Sequence, residues 1–291
     1  MMKKSGSPHS PETNDRTLLK TMKNIPVYFI LIVLIGIQSC KDSSDPVVRI
    51  DSSFIYPLEI GNTWTYHVST TYSNIQPDSV KKYLTNQSED MQVSVTKNML
   101  LDSLTVYEMK EESEDYPDSY VYYSNQEEGF VKYAYSNSPS HVLPKMNAIK
   151  NFQFHGISFN HIRELINELG ATKSLSKALN DSIIYFQQPR IVYLYPLEIG
   201  NEWIYSSAEV RIDKKVIGKE TVKTDVALYE CYKIQRIYDF DDFIDYEYVG
   251  SDGLIKTVIT VKNIAITTAE SPEGIGYADM KYTVVLTDIN F

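Results

Sequence analysis

Cysteine is almost absent. The 291 residues hold only Cys40 and Cys231, so a small fold stapled by several disulfides is excluded. Long apolar runs are missing too. Val27 to Ile37 is eleven residues long, about half the ~20 that a membrane-spanning helix needs. Histidine is scarce, with five copies. His155 and His161 are six apart and lack the HExxH spacing of a zinc site, and His67 and His141 have no Cys or His beside them. No G-x-S-x-G, P-loop or G-x-G-x-x-G phrase occurs, and Gly274-Ile275-Gly276 lacks the third glycine of a phosphate cradle. Positive charge is outweighed, with 28 basic residues against 38 acidic. The first 39 residues hold five basic and two acidic side chains, so the remainder carries a net charge of −13. That balance argues against nucleic acid as a partner and against charge-driven adhesion to anionic lipid.

What is present begins at the N-terminus. The apolar run after Lys23 has the length of a secretory signal core. It ends Ile37-Gln38-Ser39-Cys40, which resembles the bacterial lipobox. The resemblance implies cleavage before Cys40, thioether lipidation of its sulfur and acylation of the new amino group, palmitate being the type of chain attached. Several acyl chains anchor a protein stably. Residues 1–21 are polar and precede a normal signal that starts at Met22, so either Met22 is the true start or residues 1–21 are an inert extension. Lys41-Asp42-Ser43-Ser44-Asp45-Pro46 resembles the tether of Bacteroidota lipoproteins. Cys231 is left without a partner and is expected to pack as a small hydrophobe, with Lys233 and Glu230 pulling its thiol in opposite directions.

The clearest pattern is a repeat. Tyr56-Pro-Leu-Glu-Ile-Gly-Asn-Thr-Trp-Thr-Tyr66 returns 139 residues later as Tyr195-Pro-Leu-Glu-Ile-Gly-Asn-Glu-Trp-Ile-Tyr205, identical at nine of eleven positions. Two copies of one structural unit follow. Trp64 and Trp203 are the only tryptophans. Trp64 and Tyr66 share one strand face, as do Trp203 and Tyr205, and these four are the expected core anchors of the repeats. Tyr107 and Met109 match Tyr232 and Ile234, Tyr123 matches Tyr248, and Gly129 matches Gly253. Asp252-Gly253 between two strand-like runs predicts a hairpin. Copy one carries about 14 extra polar residues between Ser73 and Asp90, which suits a surface loop. Ile162, Leu165, Ile166 and Leu169 recur at helical spacing, with Asn160 as cap and Gly170 as stop.

The expected fold is therefore mainly β. Two tandem antiparallel β-sheet domains, each a curved sheet or half-barrel, flank a short connecting helix. The expected layout is a signal peptide at 1–39, lipidated Cys40 with its tether at 40–54, a first repeat at 55–150, a connector at 151–190 and a second repeat at 191–291.

Both copies place acids between corresponding strands: Glu111, Glu112, Glu114, Asp115 and Asp118 in one, and Asp239, Asp241, Asp242 and Asp245 in the other. Oxygen-rich loops hold calcium, so the second set is a weak calcium candidate, although the EF-hand order is absent. No other metal and no cofactor is expected. Asp78-Ser-Val, Asp102-Ser-Leu and Asp181-Ser-Ile resemble the O-glycosylation tripeptides of Bacteroidota.

The lipobox and the doubled YPLxxGNxWxY phrase resemble uncharacterised outer-membrane lipoproteins of Bacteroidota. That resemblance implies a cell-envelope address, membrane contact through Cys40, and no established activity. The expected function is a non-enzymatic binding or assembly module whose partner is an envelope protein or a glycan. The rivals are a carrier of lipid or another hydrophobic ligand and, third, a glycan-processing enzyme. An open concave face lined by Trp, Phe and Tyr would favour the carrier. Two facing carboxylates in a cleft would favour the enzyme.

Overall fold

In a computed structural model, the structure describes residues 48–49, 54–101, 103–114, 118–137, 151–170, 183–207 and 210–291. Cys40 and the expected signal lie outside the described residues, as does Asp115. In chain order the strands are β1 (Val48–Arg49), β2 (Thr63–Gln76), β3 (Gln87–Leu101), β4 (Leu104–Ser113), β5 (Ser119–Gln126), β6 (Gly129–Asn137), β7 (Phe152–Phe154), β8 (Ile157–Phe159), β9 (Ile184–Leu194), β10 (Glu202–Ser207), β11 (Arg211–Lys223), β12 (Leu228–Ile237), β13 (Phe243–Gly250), β14 (Gly253–Ile266) and β15 (Gly276–Asn290). Helix α1 (Ile162–Gly170) lies between β8 and β9. The mainly β architecture with one short α-helix agrees with the sequence reading.

The two repeats build one sheet rather than two. Its order is β10-β11-β12-β13-β14-β15-β2-β3-β4-β5-β6-β9, and it curls into a nearly closed barrel. Copy one supplies β2 to β6, copy two supplies β10 to β15, and β9 runs from the connector into copy two. The long β15–β2 ladder, from Tyr277↔Gln76 to Asn290↔Thr63, fuses them. A half-barrel alone would leave two bare edges, and joining two copies removes most of that liability. The expected tandem sheets thus become two halves of one wall.

The repeated phrase is a folded turn, and it makes the same hydrogen bonds in both copies. Asn62 Nδ2 donates to Pro57 O at 3.1 Å, and Asn201 Nδ2 to Pro196 O at 3.1 Å. Gly61 N donates to Val95 O and Gly200 N to Val216 O, while Val95 N and Val216 N donate back to Asn62 O and Asn201 O. Both glycines have φ near +100°, a region that L side chains avoid. A bulge then follows Val95 and Val216 alike. Leu58 and Leu197 are buried beneath the turns.

Each phrase also grips the other copy. Tyr195 Oη accepts from Tyr56 N at 2.8 Å and donates to Asn125 Oδ1 at 2.8 Å, and Asn125 Nδ2 returns to Tyr56 O at 2.8 Å. Trp64 Nε1 donates to Asp252 O at 2.7 Å. The Asp252-Gly253 hairpin forms as the sequence predicts, but its Asp252 is buried and accepts from Tyr229 Oη at 2.9 Å. Gly253, at φ +94°, lies so close to the Tyr56 ring that a Cβ would sit 3.1 Å from it. Tyr56 stacks on Phe130 at 4.1 Å, and Phe54 packs edge-on against Tyr56, Tyr193 and Tyr195. These rings fill the end of the barrel from which β2 and β10 start.

The connector fills the opposite end. β7 pairs with β14 and β8. Ile162, Leu165 and Leu169 are buried at helical spacing, as expected. Asn160 does not act through the expected side-chain cap: its Oδ1 accepts from Asn151 N, and its own N–H donates to Glu164 Oε2. Phe152 stacks on Tyr72 at the far end of β2. The extra residues of copy one lengthen the β2–β3 hairpin and carry a 3-10 turn at Asp78–Tyr83.

Inward positions along the barrel are largely apolar, for example Trp64, Tyr66 and Val68 on β2. Outward neighbours such as His67, Asp90, Lys215 and Lys219 are polar. A membrane-spanning barrel needs the reverse, with apolar side chains outward. No helix among the described residues is long and apolar enough to cross a membrane.

Trp64 is fully buried in both packing and hydrogen bonding. Trp64→Ala should destabilise the barrel by about 3–5 kcal/mol in urea unfolding. Trp64→Phe should cost about 1–3 kcal/mol, since it leaves the Asp252 carbonyl without its donor.

Candidate functional site

Strands β9 and β10 are the two ends of the sheet, and no ladder joins them. Side chains bridge the seam instead. Trp203 Nε1 donates to Ile191 O at 2.9 Å, and Lys214 Nζ donates to Val192 O at 3.1 Å. A buried carbonyl without a donor is costly, and these two side chains satisfy carbonyls that a strand would otherwise meet.

Lys214 belongs to a charged belt inside the barrel. It is fully buried and pairs with Glu247 Oε2 at 2.7 Å. Arg236 donates from Nη2 to Glu247 Oε1 and from Nη1 to Asp245 Oδ2 at 3.1 Å. Tyr238 Oη donates to Asp245 Oδ2 at 3.2 Å. Arg236 Nε and Asp245 Oδ1 are buried without a partner among the described residues. Arg190 on β9 and Lys132 on β6 are register partners. Both lie over the Phe186 ring, at 4.3 Å and 5.3 Å. Among the described residues Lys132 meets no carboxylate.

Tyr205 sits amid these cations. Lys214 Nζ, Arg236 Cζ and Arg190 Cζ lie 4.8, 5.5 and 5.6 Å from its ring centroid. Burial alone would push its hydroxyl up, but Lys132, Arg236, Lys214 and Arg190 together pull it down to about 8. Burial lowers Lys132 and Lys214. Burial also opposes ionisation of Glu247, yet Arg236 and Lys214 hold it below the usual carboxylate range. Asp245 has one bonded cation where Glu247 has two, and burial leaves it above that range. A second, more acidic group lies beside α1, where Arg163 binds Glu111 at 2.6 Å and Glu89 at 3.6 Å.

The ion pairs of the belt lie in copy two, on β11, β12 and β13. Register relates the copies position by position. Trp203 pairs with Lys214 where Trp64 pairs with Val93. Lys214 then pairs with Arg236, and Val93 with Glu111. Arg236 pairs with Asp245, and Glu111 with Ser119. Ile234 pairs with Glu247, and Met109 with Val121. Copy one therefore builds the same wall with Val93 and Val121 where copy two has Lys214 and Glu247. Tyr66, the counterpart of Tyr205, is buried and donates to Leu254 O at 3.0 Å, and burial drives its hydroxyl well above its ordinary value.

Of the four expected anchors, Trp64, Tyr66 and Trp203 are buried in the core. Tyr205 alone stands among charges. The calcium candidates are not brought together. Asp245 points into the barrel toward Arg236, Asp242 pairs with His155 at 2.9 Å, and Asp239 and Asp241 are exposed. In copy one, Glu112 and Asp118 pair with Lys110 on the wall. Among the described residues no three His, Cys, Asp or Glu side chains gather into a metal cluster. Cys231 is buried, and its thiol is pushed up to about 12 by that burial and by Glu220 and Glu230. Lys233, a possible activator by sequence, pairs with Glu220 instead.

No family model matches the chain, and no curated protein does. Two solved structures resemble it. One from Parabacteroides distasonis, described as a putative lipoprotein, is 15% identical over 82% of this chain and 100% of that chain, with a TM-score of 0.31. One from Bacteroides fragilis, described as a putative exported protein with a YmcC-like fold, is 12% identical over the same shares, with a TM-score of 0.29. Likeness at that level carries no argument about fold or function.

Stability and titration both test the belt. Lys214→Val removes one of the two cations that hold the buried Glu247 and should cost about 3–5 kcal/mol. Lys214→Val combined with Glu247→Val, the copy-one pair, should cost less than the two single changes summed. In an absorbance titration, one tyrosine should ionise near pH 8, and Tyr205→Phe should abolish that step. The folded value lies below the unfolded one of about 10. The linked stability is therefore absent below pH 8 and grows between about 8 and 10. Tyr205→Phe should lack that gain in unfolding measured across the range.

Proposed function

We propose that the chain is a lipid-anchored lipoprotein of the bacterial outer membrane that works as a non-enzymatic binding or assembly module, the barrel being held to the membrane through Cys40. The observation that carries this reading is the Ile37-Gln38-Ser39-Cys40 lipobox ahead of a barrel with a polar outer wall. Cys40 lies eight residues before Val48, a reach of at most about 28 Å. Val48 and Arg49 pair with Leu228 and Tyr229, at the end of the barrel that carries both repeated phrases. An envelope protein or a glycan would meet the remaining surface.

The filled interior supports a binding module over a lipid carrier. Trp64, Tyr66, Phe130 and Tyr193 occupy the space that a carried chain would need. A cavity between α1 and the sheet measures about 30 Å³. A larger recess of about 320 Å³ is lined by Asn74, Gln76, Lys262, Asn263, Tyr277 and Asp279, which is polar for an acyl chain. For glycan hydrolysis, Asp245 and Glu247 would have to flank a bond, yet both bind the one Arg236 guanidinium.

Metabolic labelling with palmitate tests the anchor. The wild-type chain should take up label and Cys40→Ser should not; equal labelling would refute it. Native mass spectrometry tests carriage. A clean mass is expected, and an adduct of lipid mass lost on denaturation would restore the carrier reading.

A further inference from the structure

We propose that the recess where β14, β15 and β2 meet on the outer wall is a binding site for an uncharged saccharide, with the Tyr277 ring as its platform. This rests on the binding-module reading above and deepens it, naming a glycan as the ligand and giving its site.

The recess of about 320 Å³ is lined by Asn74 and Gln76 on β2, Lys262 and Asn263 on β14, and Tyr277 and Asp279 on β15. Tyr277 and Asp279 alternate with the buried Ala278 and Met280, so they face outward. Two bulges shape the hollow, one on each side of β15. The β14–β15 register slips between Val261 and Ile264, and the β15–β2 register between Tyr277 and Asp279. Bulges bend a strand and re-aim its side chains. Each bulge holds an asparagine in left-handed backbone, Asn74 at φ +50° and Asn263 at φ +54°, a region that asparagine enters more readily than most residues. One carboxylate ties both together: Asp279 Oδ2 accepts from Asn74 Nδ2 at 2.6 Å, and its Oδ1 accepts from Asn263 N at 3.0 Å. The shared scaffold does not require this hollow. β2 runs for 14 residues where its counterpart β10 runs for six, and Asn74 and Gln76 lie in the part that copy two lacks. That extension is folded against the wall, since Val80 is buried and a Cβ on Gly276 would overlap Gln76 O.

The lining matches the two-sided chemistry of a sugar, which has an apolar face of C–H groups and a rim of hydroxyls that both donate and accept. Tyr277 is 55% exposed, so its ring offers the apolar platform. Among the described residues the side chains of Gln76, Lys262, Asn263 and Tyr277 bond no other protein group. Their amides, ammonium and hydroxyl are therefore open to a ligand, and Asp279 keeps lone pairs beyond the two that it uses. Lys262 and Asp279 cancel in charge, which suits an uncharged ligand over an acidic one. The volume lies at the small end of ligand sites, about 300–1,000 Å³, and suits a short saccharide. The recess also lies at the opposite end of β2 from the repeated phrases and from Val48 and Arg49, clear of the end that the tether enters.

The test applies the full chain, in a detergent without a sugar headgroup, to a printed array of neutral and acidic glycans, and titrates the strongest binder by calorimetry. Saturable one-site binding of a neutral glycan is expected. Tyr277→Ala removes an exposed ring, so the barrel should still fold, and binding should weaken by about tenfold or more. Tyr277→Phe keeps the ring and should change binding by less than about threefold. Asn263→Gly removes an amide while suiting the backbone angle, and should weaken binding as well. Tyr185→Ala removes a tyrosine of like exposure on β9 and should leave binding unchanged. Binding that Tyr277→Ala leaves intact overturns the site while the binding-module reading stands. Binding of acidic glycans alone overturns it in the same way. Absence of all glycan binding also overturns the site, and it leaves that reading to an envelope protein, which cross-linking in cells tests. None of these results touches the lipid anchor, which palmitate labelling tests separately.

Discussion

Strand β9 presents backbone carbonyls to a neighbour that does not pair with it. Along the path of twelve strands around the barrel, all neighbours except β9 and β10 are joined by a hydrogen-bonded ladder. At this one junction the indole of Trp203 and the ammonium of Lys214 stand in for a strand. Much else follows from that substitution. A lysine that reaches a carbonyl inside a barrel needs a counter-charge, which Glu247 supplies. Glu247 in turn holds Arg236, and Arg236 holds Asp245. The seam and the charged belt are thus one structure, and Tyr205 lies in the field that it creates.

The two copies share a turn and differ in an interior. The turn is the part that sequence identity preserves, because its geometry depends on particular residues. Gly61 and Gly200 take backbone angles that other residues resist. Asn62 and Asn201 close the turn through their amides. The tyrosine of each phrase reaches the hairpin of the other copy, so the phrases also fasten the halves together. Farther along the strands the copies part: copy one has Val93 and Val121 where copy two has Lys214 and Glu247. Each half buries charge of its own, Glu108 in copy one and Lys214, Asp245 and Glu247 in copy two.

The candidate site was partly legible. Ile212, Lys214 and Val216 alternate with outward residues, so strand parity places Lys214 on the apolar face. The same reasoning applies to Arg236 between Ile234 and Tyr238, and to Asp245 and Glu247 after Phe243. A charge in phase with core residues was the available signal. Grouping Asp245 with Asp239, Asp241 and Asp242 as a loop acid missed it, because nearness in sequence ignores the alternation of strand faces. Lys132 and Arg190 gave no such signal. They come from the other copy and from the connector, and bulges shift their register.

The sequence by itself determined the repeat, the antiparallel strands, the Asp252-Gly253 hairpin and the amphipathic helix. Each rests on short-range rules: turn residues with fixed backbone angles, and apolar residues at a period of two or of about 3.6. It also supplied the lipobox, which is a local phrase. Only the tertiary structure decided that two repeats make one barrel, that β9 and β10 stay unpaired, and that charges from β6, β9, β11, β12 and β13 meet around Tyr205. These depend on which strands become neighbours after the sheet curls. Pairing between residues as distant as Thr63 and Asn290 is a property of closure, which no local pattern encodes.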